Sequence, residues 1–420
     1  MMMMINRQTC GVVIIAIAIA AAILSFNPVI KGGEDFTFLE ATIDEIQAAF
    51  AENKLTSRQL VEFYITQIEN LNPRLKSVLE VNPDARNQAD EADLARKRRS
   101  RDDQGRRSLG KLHGVPVLLK DTIATKDKLN TTAGSYALVG SVVGRDATVV
   151  ERLRDAGAVI LGKASLTECR SWLHTVGLTS RAGVIPVLPI HDTIGPISRT
   201  VSDAVYLLDL IVGFDPRDYE ATSEAAKFIP VGGYKQFLNR DGLKGKRLGV
   251  VRNLFNSRNV KSGATIVDNL EISNVDVISN PSKNGELTAM LAGFKTSVNY
   301  YLKDLVSSPV RSLADIIAFN QKNSVLRRQV GLERKRKAVE LMEKLSRDGI
   351  EKLMTENKLD ATVTLGTHFI SVLAIGGYPG ITVPAGYDSN GMPFGLCFGG
   401  LKGTEPKLIE VALLLNKLLW

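Results

Sequence analysis

The chain has 420 residues, of which 44% are apolar and 23% charged, so it can bury a large core in one or more domains. Three cysteines and four scattered histidines exclude a disulfide framework and disfavour a zinc site. Much of the net charge of +8 falls in two clusters, residues 96–111 and 327–337. Because neither cluster is interleaved with aromatic residues or set in a nucleic-acid motif, we interpret both as solvated surface and predict no nucleic-acid partner.

The amino terminus carries one charge, Arg7, followed by an apolar run over residues 11–24, GVVIIAIAIAAAIL. A run of this length matches the apolar region of a secretory signal and falls short of the roughly 20 residues that span a bilayer. Residues 10–30 could instead form a single uncleaved anchor, although Asn27 and Pro28 interrupt the run. We therefore expect residues 1–30 to be a signal peptide or a membrane anchor, and the protein to be in the secretory pathway or membrane-associated.

The starts of two helices are predicted from their N-terminal residues. Thr42 with Glu45 and Thr56 with Gln59 both fit the capping box, in which a hydroxyl and a side-chain carbonyl or carboxylate satisfy free backbone N–H groups. We expect the second helix to end at Pro73, which cannot continue a helix without losing a hydrogen bond. A third helix is predicted over residues 84–99.

The chain is organised around residues 112–123, LHGVPVLLKDTI. A short apolar run bounded by turn residues predicts a buried strand, and this one ends on Lys120 and Asp121. A lysine held partly out of water has a lowered pKa, which suits a catalytic base. The alternative is that Lys120 lies along the apolar surface with its ammonium group in solvent. The residues of this stretch leave both interpretations open.

The remaining pattern alternates helices and short buried strands, which indicates an α/β protein with ligands at the carboxyl ends of strands. Gly157 is expected to stop a helix, and Thr200 to begin one. The predicted elements are helix 147–156, strand 158–161, a helix from 200, a turn and strand over 241–251, a mainly helical region over 287–353, strands 361–365 and 381–385, and a terminal helix 405–418.

Several phrases then occur in a fixed order: GVPVLLKD, TTAGS, DAGAVILGKASLTE, GLTSRAG, DTIGPISRTVSDA, and GYPGITVPAG followed by GMPFGLCFGG. Together they resemble the amidase signature family, and most closely its plant-type members. The resemblance covers residues 36–420. It implies one amidase-like α/β domain, with a mixed β-sheet core flanked by helices.

The resemblance also implies a chemistry. The family hydrolyses carboxamide C–N bonds with a serine nucleophile, a bridging serine on a cis peptide, and a lysine, without a metal or an organic cofactor. The lysine lies in the phrase matched by GVPVLLKD and therefore carries over to Lys120. A neutral lysine can take a proton through the bridging serine and return it to the leaving amine. The implied partner is a small-molecule amide.

Neither serine carries over. In the family both lie between the phrases matched here by GKASLTE and GLTSRAG, which in this chain are joined by eight residues, Cys169–Val176, so the domain is interrupted near residues 168–177. Ser165, Ser171 and Ser180 are the nearby hydroxyls, but none lies in a glycine-rich elbow of the kind that exposes a nucleophile. Cys169 and His174 lack the third group that would orient a Cys–His pair. We expect a chain that keeps Lys120 and lacks both serines.

The absent segment supplies inner strands of the family's main sheet, so their loss should expose unpaired backbone groups. The region 252–279 is also shorter than the resemblance predicts. An exon-skipped product, a pseudogene-like copy or a faulty gene model would each give such a sequence. Three functions are carried forward: an amidase-family protein inactive as written, a non-catalytic binding or regulatory protein on the same fold, and, least favoured, a protein that binds nucleic acid or a membrane surface through the two basic clusters. No feature predicts an oligomeric state.

Overall fold

A computed structural model describes residues 12–16, 31–32, 36–101, 109–166, 173–239, 241–251, 263–322, 332–365, 369–387 and 393–418. The strands are β1 (Val12–Ala16), β2 (Lys31–Gly32), β3 (Phe36–Thr37), β4 (Val78–Val81), β5 (Pro116–Lys120), β6 (Val159–Ala164), β7 (Thr193–Ile197), β8 (Arg247–Val251), β9 (Thr265–Leu270), β10 (Ala361–Leu365), β11 (Gly380–Tyr387) and β12 (Pro393–Gly399). The α-helices are α1 (Ile43–Ala51), α2 (Ser57–Leu75), α3 (Ala85–Arg101), α4 (Thr148–Asp155), α5 (Val201–Ile211), α6 (Tyr219–Ala225), α7 (Val275–Ile278), α8 (Glu286–Asp304), α9 (Leu313–Lys322), α10 (Leu332–Ser346), α11 (Lys352–Glu356), α12 (Ile370–Ala374) and α13 (Glu405–Leu418).

Two five-stranded mixed sheets form the framework. Their strand orders are β4-β6-β5-β1-β7 and β11-β12-β10-β8-β9. In the first sheet β5 runs parallel to β6, whereas β4 is antiparallel to β6. In the second, β10 runs parallel to β8 and antiparallel to β12. Helices cover these sheets, so the predicted α/β class with a mixed-sheet core is confirmed.

β5 lies inside the first sheet, which explains its sequence. All five residues, PVLLK, are buried, because β6 pairs with one edge and both faces are covered. The register places Leu119 beside Lys163 and Lys120 beside Ala164. A continuous apolar run is the expected pattern for a strand covered on both faces. The strand predicted from residues 112–123 is therefore present.

The first two helices begin as their sequences predict. Thr42 and Thr56 are N-caps, and each forms a complete capping box with the residue three positions later. The predicted end of α2 at Pro73 is wrong. The helix includes Pro73, continues to Leu75, and ends where Lys76 takes a left-handed conformation (φ 52°). A proline so near the end removes only its own hydrogen bond, and the chain turns at the residue after the helix.

The amino-terminal segment contributes β1, which pairs in parallel with β7 and antiparallel with β5. The rest of residues 1–30 lies outside the described part of the chain, so the signal-peptide or anchor interpretation stays a prediction. Within the ranges described, no helix is both long and apolar enough to cross a membrane.

The first basic cluster is not wholly solvated. Arg96 packs its guanidinium over the Phe50 ring at 4.1 Å and donates to the Ser57 hydroxyl at 2.6 Å. Burial lowers the pKa of Arg96. The solvated-surface interpretation is therefore wrong at this residue, because α3 packs on α2 and turns this side chain inward. Residues 102–108 lie outside the described ranges.

Residues 173–180, which we name the seam segment, lie between the two sheets. Leu173 exchanges two backbone hydrogen bonds with Gly380 of β11, at 2.8 and 2.7 Å. Thr179 bonds both backbone groups of Ile194 in β7, accepting from its N–H at 3.2 Å and donating to its carbonyl at 3.1 Å. The seam segment therefore connects the edge of one sheet to the edge of the other.

Candidate functional site

Lys120 is the last residue of β5, and the fold buries it. The residue as a whole is only 8% exposed, which disfavours the alternative of a lysine lying along the surface in solvent. The backbone turns at once, because Ile123 donates its N–H to the Lys120 carbonyl at 3.0 Å. The structure thus places Lys120 at the carboxyl end of a buried strand, and its catalytic role stays a prediction.

We name the segment after the strand, residues 121–134, the exit loop. Its first residue, Asp121, hydrogen-bonds to residues at its end. The Asp121 carboxylate accepts the backbone N–H groups of Thr132 at 3.1 Å and of Gly134 at 3.0 Å, and also the Thr132 hydroxyl. Ala133 and Gly134 have positive φ angles of 49° and 68°, which bring their part of the loop back to the strand. A carboxylate with several donors remains stable when buried.

A second buried lysine, which the sequence analysis did not single out, lies in the neighbouring strand. Lys163 is 0% exposed, and its Nζ donates to the Ile123 carbonyl at 2.6 Å and to the Thr131 hydroxyl at 2.9 Å. Burial lowers the pKa of Lys163 to about 8, against the opposing field of Asp121 and other carboxylates. The signal was available: VILGK, like PVLLK, is an apolar run that ends on a lysine.

The two nearby serines that lie in the described residues are held differently. Ser180 is 0% exposed and donates its hydroxyl to Asp215 at 2.5 Å, so it belongs to a buried structural network. The Ser165 hydroxyl is buried and has no hydrogen-bond partner. Because paired residues of parallel strands share a face, Lys120 lies on the face of Ala164, so its successor Ser165 is expected on the opposite face. Ser171 lies outside the described ranges.

His174, considered as a partner for Cys169, is part of the seam segment. It is buried, with Nε2 at 2.7 Å from the Ile194 carbonyl and Nδ1 at 2.9 Å from the Thr193 hydroxyl. Nδ1 also lies 3.2 Å from the Thr175 carbonyl, and burial lowers the pKa of the ring, which favours its neutral form. Both nitrogens are thus used in joining the seam segment to β7. Cys169 lies outside the described ranges.

Two cavities, of about 20 and 30 Å³, lie away from Lys120. The first is lined by Pro116 at the opposite end of β5, and the second by Pro196 and Pro384 between β7 and β11. Each has room for one or two water molecules. In the part of the chain that the structure describes, no cluster of three or more His, Cys, Asp or Glu side chains could hold a metal ion.

Comparison with known proteins decides the family. The Amidase family model matches residues 59–176 and 174–348. A probable amidase of Arabidopsis thaliana is 48% identical over 473 aligned positions, which cover 91% of each protein. This chain belongs to the amidase family. A putative amidase of Schizosaccharomyces pombe is 30% identical, over 92% of this chain and 86% of its own length.

Solved structures agree with this assignment. The native peptide amidase of Stenotrophomonas maltophilia superposes with a TM-score of 0.80 at 30% identity, covering 92% of this chain and 98% of that one. An amidase family protein of Bacillus anthracis gives a TM-score of 0.78 at 26% identity, with 90% and 91% covered. The resemblance to the amidase signature family and the predicted fold are therefore confirmed, and with them membership of a family of hydrolases that act on small amides.

Proposed function

We propose that this protein has the fold and the lysine position of an amidase but does not hydrolyse amides by the Ser–Ser–Lys route. One observation carries the proposal: eight residues, Cys169–Val176, join the phrases between which the family carries both serines. A lysine base without a bridging serine and a nucleophile has nothing to deprotonate. Lys120 is then a residue inherited from an amide hydrolase.

Two features of the comparisons support an internal loss at this place. The alignment with the Arabidopsis thaliana relative extends over 473 positions, more than the 420 residues of this chain, so that relative has residues with no counterpart here. The family model matches in two ranges, and these meet at residues 174–176, inside the eight-residue junction. Both observations fit the removal of a segment near residues 168–177.

The geometry around Lys120 supports the same proposal. Ser180 is engaged with Asp215, and Ser165 follows Ala164, the last residue of β6, so we expect it on the face opposite Lys120. Asp121 and Lys163 hydrogen-bond to backbone groups of the exit loop. The loop is therefore ordered by the protein's own side chains and needs no substrate. A second function, that of a non-catalytic binding or regulatory protein, remains compatible with this ordered and buried surround of Lys120.

The test is a serine-directed fluorophosphonate probe applied to the purified full chain, in parallel with ammonia release from a C-terminally amidated peptide. We expect no labelling that depends on a single serine, and no release of ammonia above the level of the Lys120→Met variant. Labelling lost on substitution of one serine, together with turnover that requires Lys120, would overturn the proposal. Sequencing of the transcript across the codons for 166–177 would show whether a longer product with a Gly/Ser-rich insert exists.

The amino terminus carries a separate proposal: residues 1–30 direct the chain to the secretory pathway or attach it to a membrane. Their composition supports it, since fourteen consecutive apolar residues follow a single arginine. Expression with a carboxyl-terminal tag and amino-terminal sequencing of the product would test it. A cytosolic product that retains residues 1–30 and leaves the membrane in a carbonate wash would contradict it.

A further inference from the structure

Lys163 has a position that packing alone does not explain. It is fully buried in β6, between β4 and β5, and its ammonium group meets two neutral oxygens, the Ile123 carbonyl and the Thr131 hydroxyl. Moving an ammonium group out of water costs several kcal/mol, so an apolar side chain in this space would be expected to stabilise the fold more. Both acceptors lie in the exit loop, one near its beginning and one near its end.

The first acceptor connects Lys163 to Lys120. Ile123 is held on both sides: its N–H donates to the Lys120 carbonyl at 3.0 Å, and its carbonyl accepts from Lys163 at 2.6 Å. The turn at residues 120–123 is thereby fixed to β6. Because β6 also pairs directly with Leu119 and Lys120, the strand end and the turn after it share one support.

The second acceptor holds the other end of the exit loop. Thr131 precedes Thr132, whose N–H and hydroxyl bind Asp121. Lys163 in β6 and Asp121, the residue after β5, therefore hold adjacent residues of the same loop. The field of Asp121 favours the protonated form of Lys163, and a protonated amine can donate to both acceptors at once.

We propose that Lys163 is a positioning residue that clamps the exit loop and so keeps Lys120 buried at the end of β5. The proposal deepens the assignment of Lys120 to the family's lysine position and rests on it for its significance. In an amide hydrolase of this fold the same clamp would hold the base at a fixed place while protons move through it. The alternative is an ordinary core residue, whose loss would lower stability and leave Lys120 unchanged.

The experiment measures the reactivity of Lys120 itself. Folded protein is treated briefly with isotopic acetic anhydride between pH 7 and 9, and peptide mass spectrometry gives the acetylation rate of Lys120 relative to the exposed Lys344. In Lys163→Met, which keeps the side-chain length without the ammonium group, we expect Lys120 to react about tenfold faster, since a hydrogen bond to a charged group is lost and the turn opens. Loss of the positive charge alone would raise the pKa of Lys120 and slow the reaction, so the direction separates the two effects.

Two further variants complete the test. Thr131→Val removes one acceptor and no charge, and we expect a smaller increase, of about threefold. Lys128→Met is the matched control, because Lys128 lies in the same loop but is exposed and pairs with Asp84 at 2.7 Å; its loss should leave Lys120 unchanged. An unchanged Lys120 rate in folded Lys163→Met overturns the proposal, whatever happens to the melting temperature. If that variant does not fold, Thr131→Val decides in the same way.

No substrate and no serine enter this measurement. Turnover of an amide by the wild-type chain would overturn the proposed inactivity and leave the clamp intact. Unaltered labelling of Lys120 in folded Lys163→Met would overturn the proposed clamp and would not bear on the proposed inactivity. The two proposals therefore fail separately.

Discussion

The exit loop and the seam segment are two short segments that contact the first sheet in different ways. The exit loop is held to its own first residue, Asp121, and to Lys163 of the neighbouring strand β6. The seam segment is held to two sheets at once, through Leu173 on one side and Thr179 on the other. The hydrogen bonds of the exit loop fix the turn that follows Lys120, whereas those of the seam segment join the two β-sheets.

The two segments also differ in the electrostatics of their buried groups. Asp121 and Lys163 lie near each other, and the field of Asp121 opposes the effect of burial on the lysine. His174 and Glu405 in the seam region are both shifted by burial towards their neutral forms, downward in pKa for the histidine and upward for the glutamate. Burial therefore shifts Lys163, His174 and Glu405 alike towards their neutral forms, but at Lys163 several nearby carboxylates oppose that shift. This contrast teaches that an intact exit loop in this chain is no evidence of an intact active site.

The largest expected effect is at Asp121. Asp121→Ala removes the acceptor of two backbone N–H groups and one hydroxyl in a buried loop, and we expect about 4 kcal/mol of lost stability. Urea unfolding followed by circular dichroism measures it. Asp121→Asn keeps one oxygen and should lose about half as much. Equal losses in the two variants would show that packing rather than these hydrogen bonds holds the exit loop.

The second effect is a pH dependence just after the seam segment. Asp192 is buried and accepts from Val187 N–H at 2.9 Å and Leu188 N–H at 3.1 Å, and burial raises its pKa from 3.8 to about 6. The folded state therefore binds the proton more tightly than the unfolded state. The contribution of protonated Asp192 to the free energy of unfolding is therefore fully present below pH 3.8 and is lost as the pH rises through 6.

Asp192→Asn should remove this dependence. The difference in unfolding free energy between wild type and variant, measured in urea at intervals from pH 3.5 to 7, should change by up to about 3 kcal/mol across the window. Other buried acids, such as Glu286 and Asp203, also have raised pKa values, but they are common to both proteins and cancel in the difference. A constant difference between the two proteins would contradict the assignment to Asp192.

A third effect tests the joint itself. Thr179→Val leaves the Ile194 N–H without its partner at 3.2 Å, whereas the Ile194 carbonyl keeps the His174 ring at 2.7 Å. One orphaned backbone donor in the interior predicts a loss of about 2 kcal/mol. Thr179→Ser, which retains the hydroxyl, is the matched control. A loss in Thr179→Ser with none in Thr179→Val would show that the methyl group, which valine keeps, and not the hydrogen bond stabilises the contact between the seam segment and β7.

Much of this architecture could be read from local patterns. The capping boxes at Thr42 and Thr56 and the apolar run before Lys120 carry their own physical signals, and the structure has all three. β7 was not predicted, because Thr193–Ile197 contains Gly195 and Pro196, which lower any strand signal. β7 forms because β1 and the seam segment hydrogen-bond to it, and such long-range contacts cannot be predicted from the local sequence.

The candidate site divides in the same way. Lys120 was found because a lysine at the end of an apolar strand is conspicuous and because a family phrase contains it. Lys163 occupies the same kind of position but was missed, since a lysine at a strand end is ordinarily solvated and only the exit loop shows what it binds. The division of the framework into two sheets, with the seam segment between Leu173 and Thr179, depends on contacts far apart in sequence.

The smallest expected effect is at Lys128, and it bears on what orders the exit loop. Lys128 pairs with Asp84 at 2.7 Å, but its side chain is 68% exposed, so solvent screens the pair and the stability of Lys128→Met should change by only about 0.3 kcal/mol. The same urea titration measures it, at low and at high salt. A loss comparable to that of Asp121→Ala would mean that the loop is held from its surface, and the comparison between an internally held exit loop and a bridging seam segment would no longer stand. A negligible loss, together with a large one at Asp121, places the order of this loop in its buried groups.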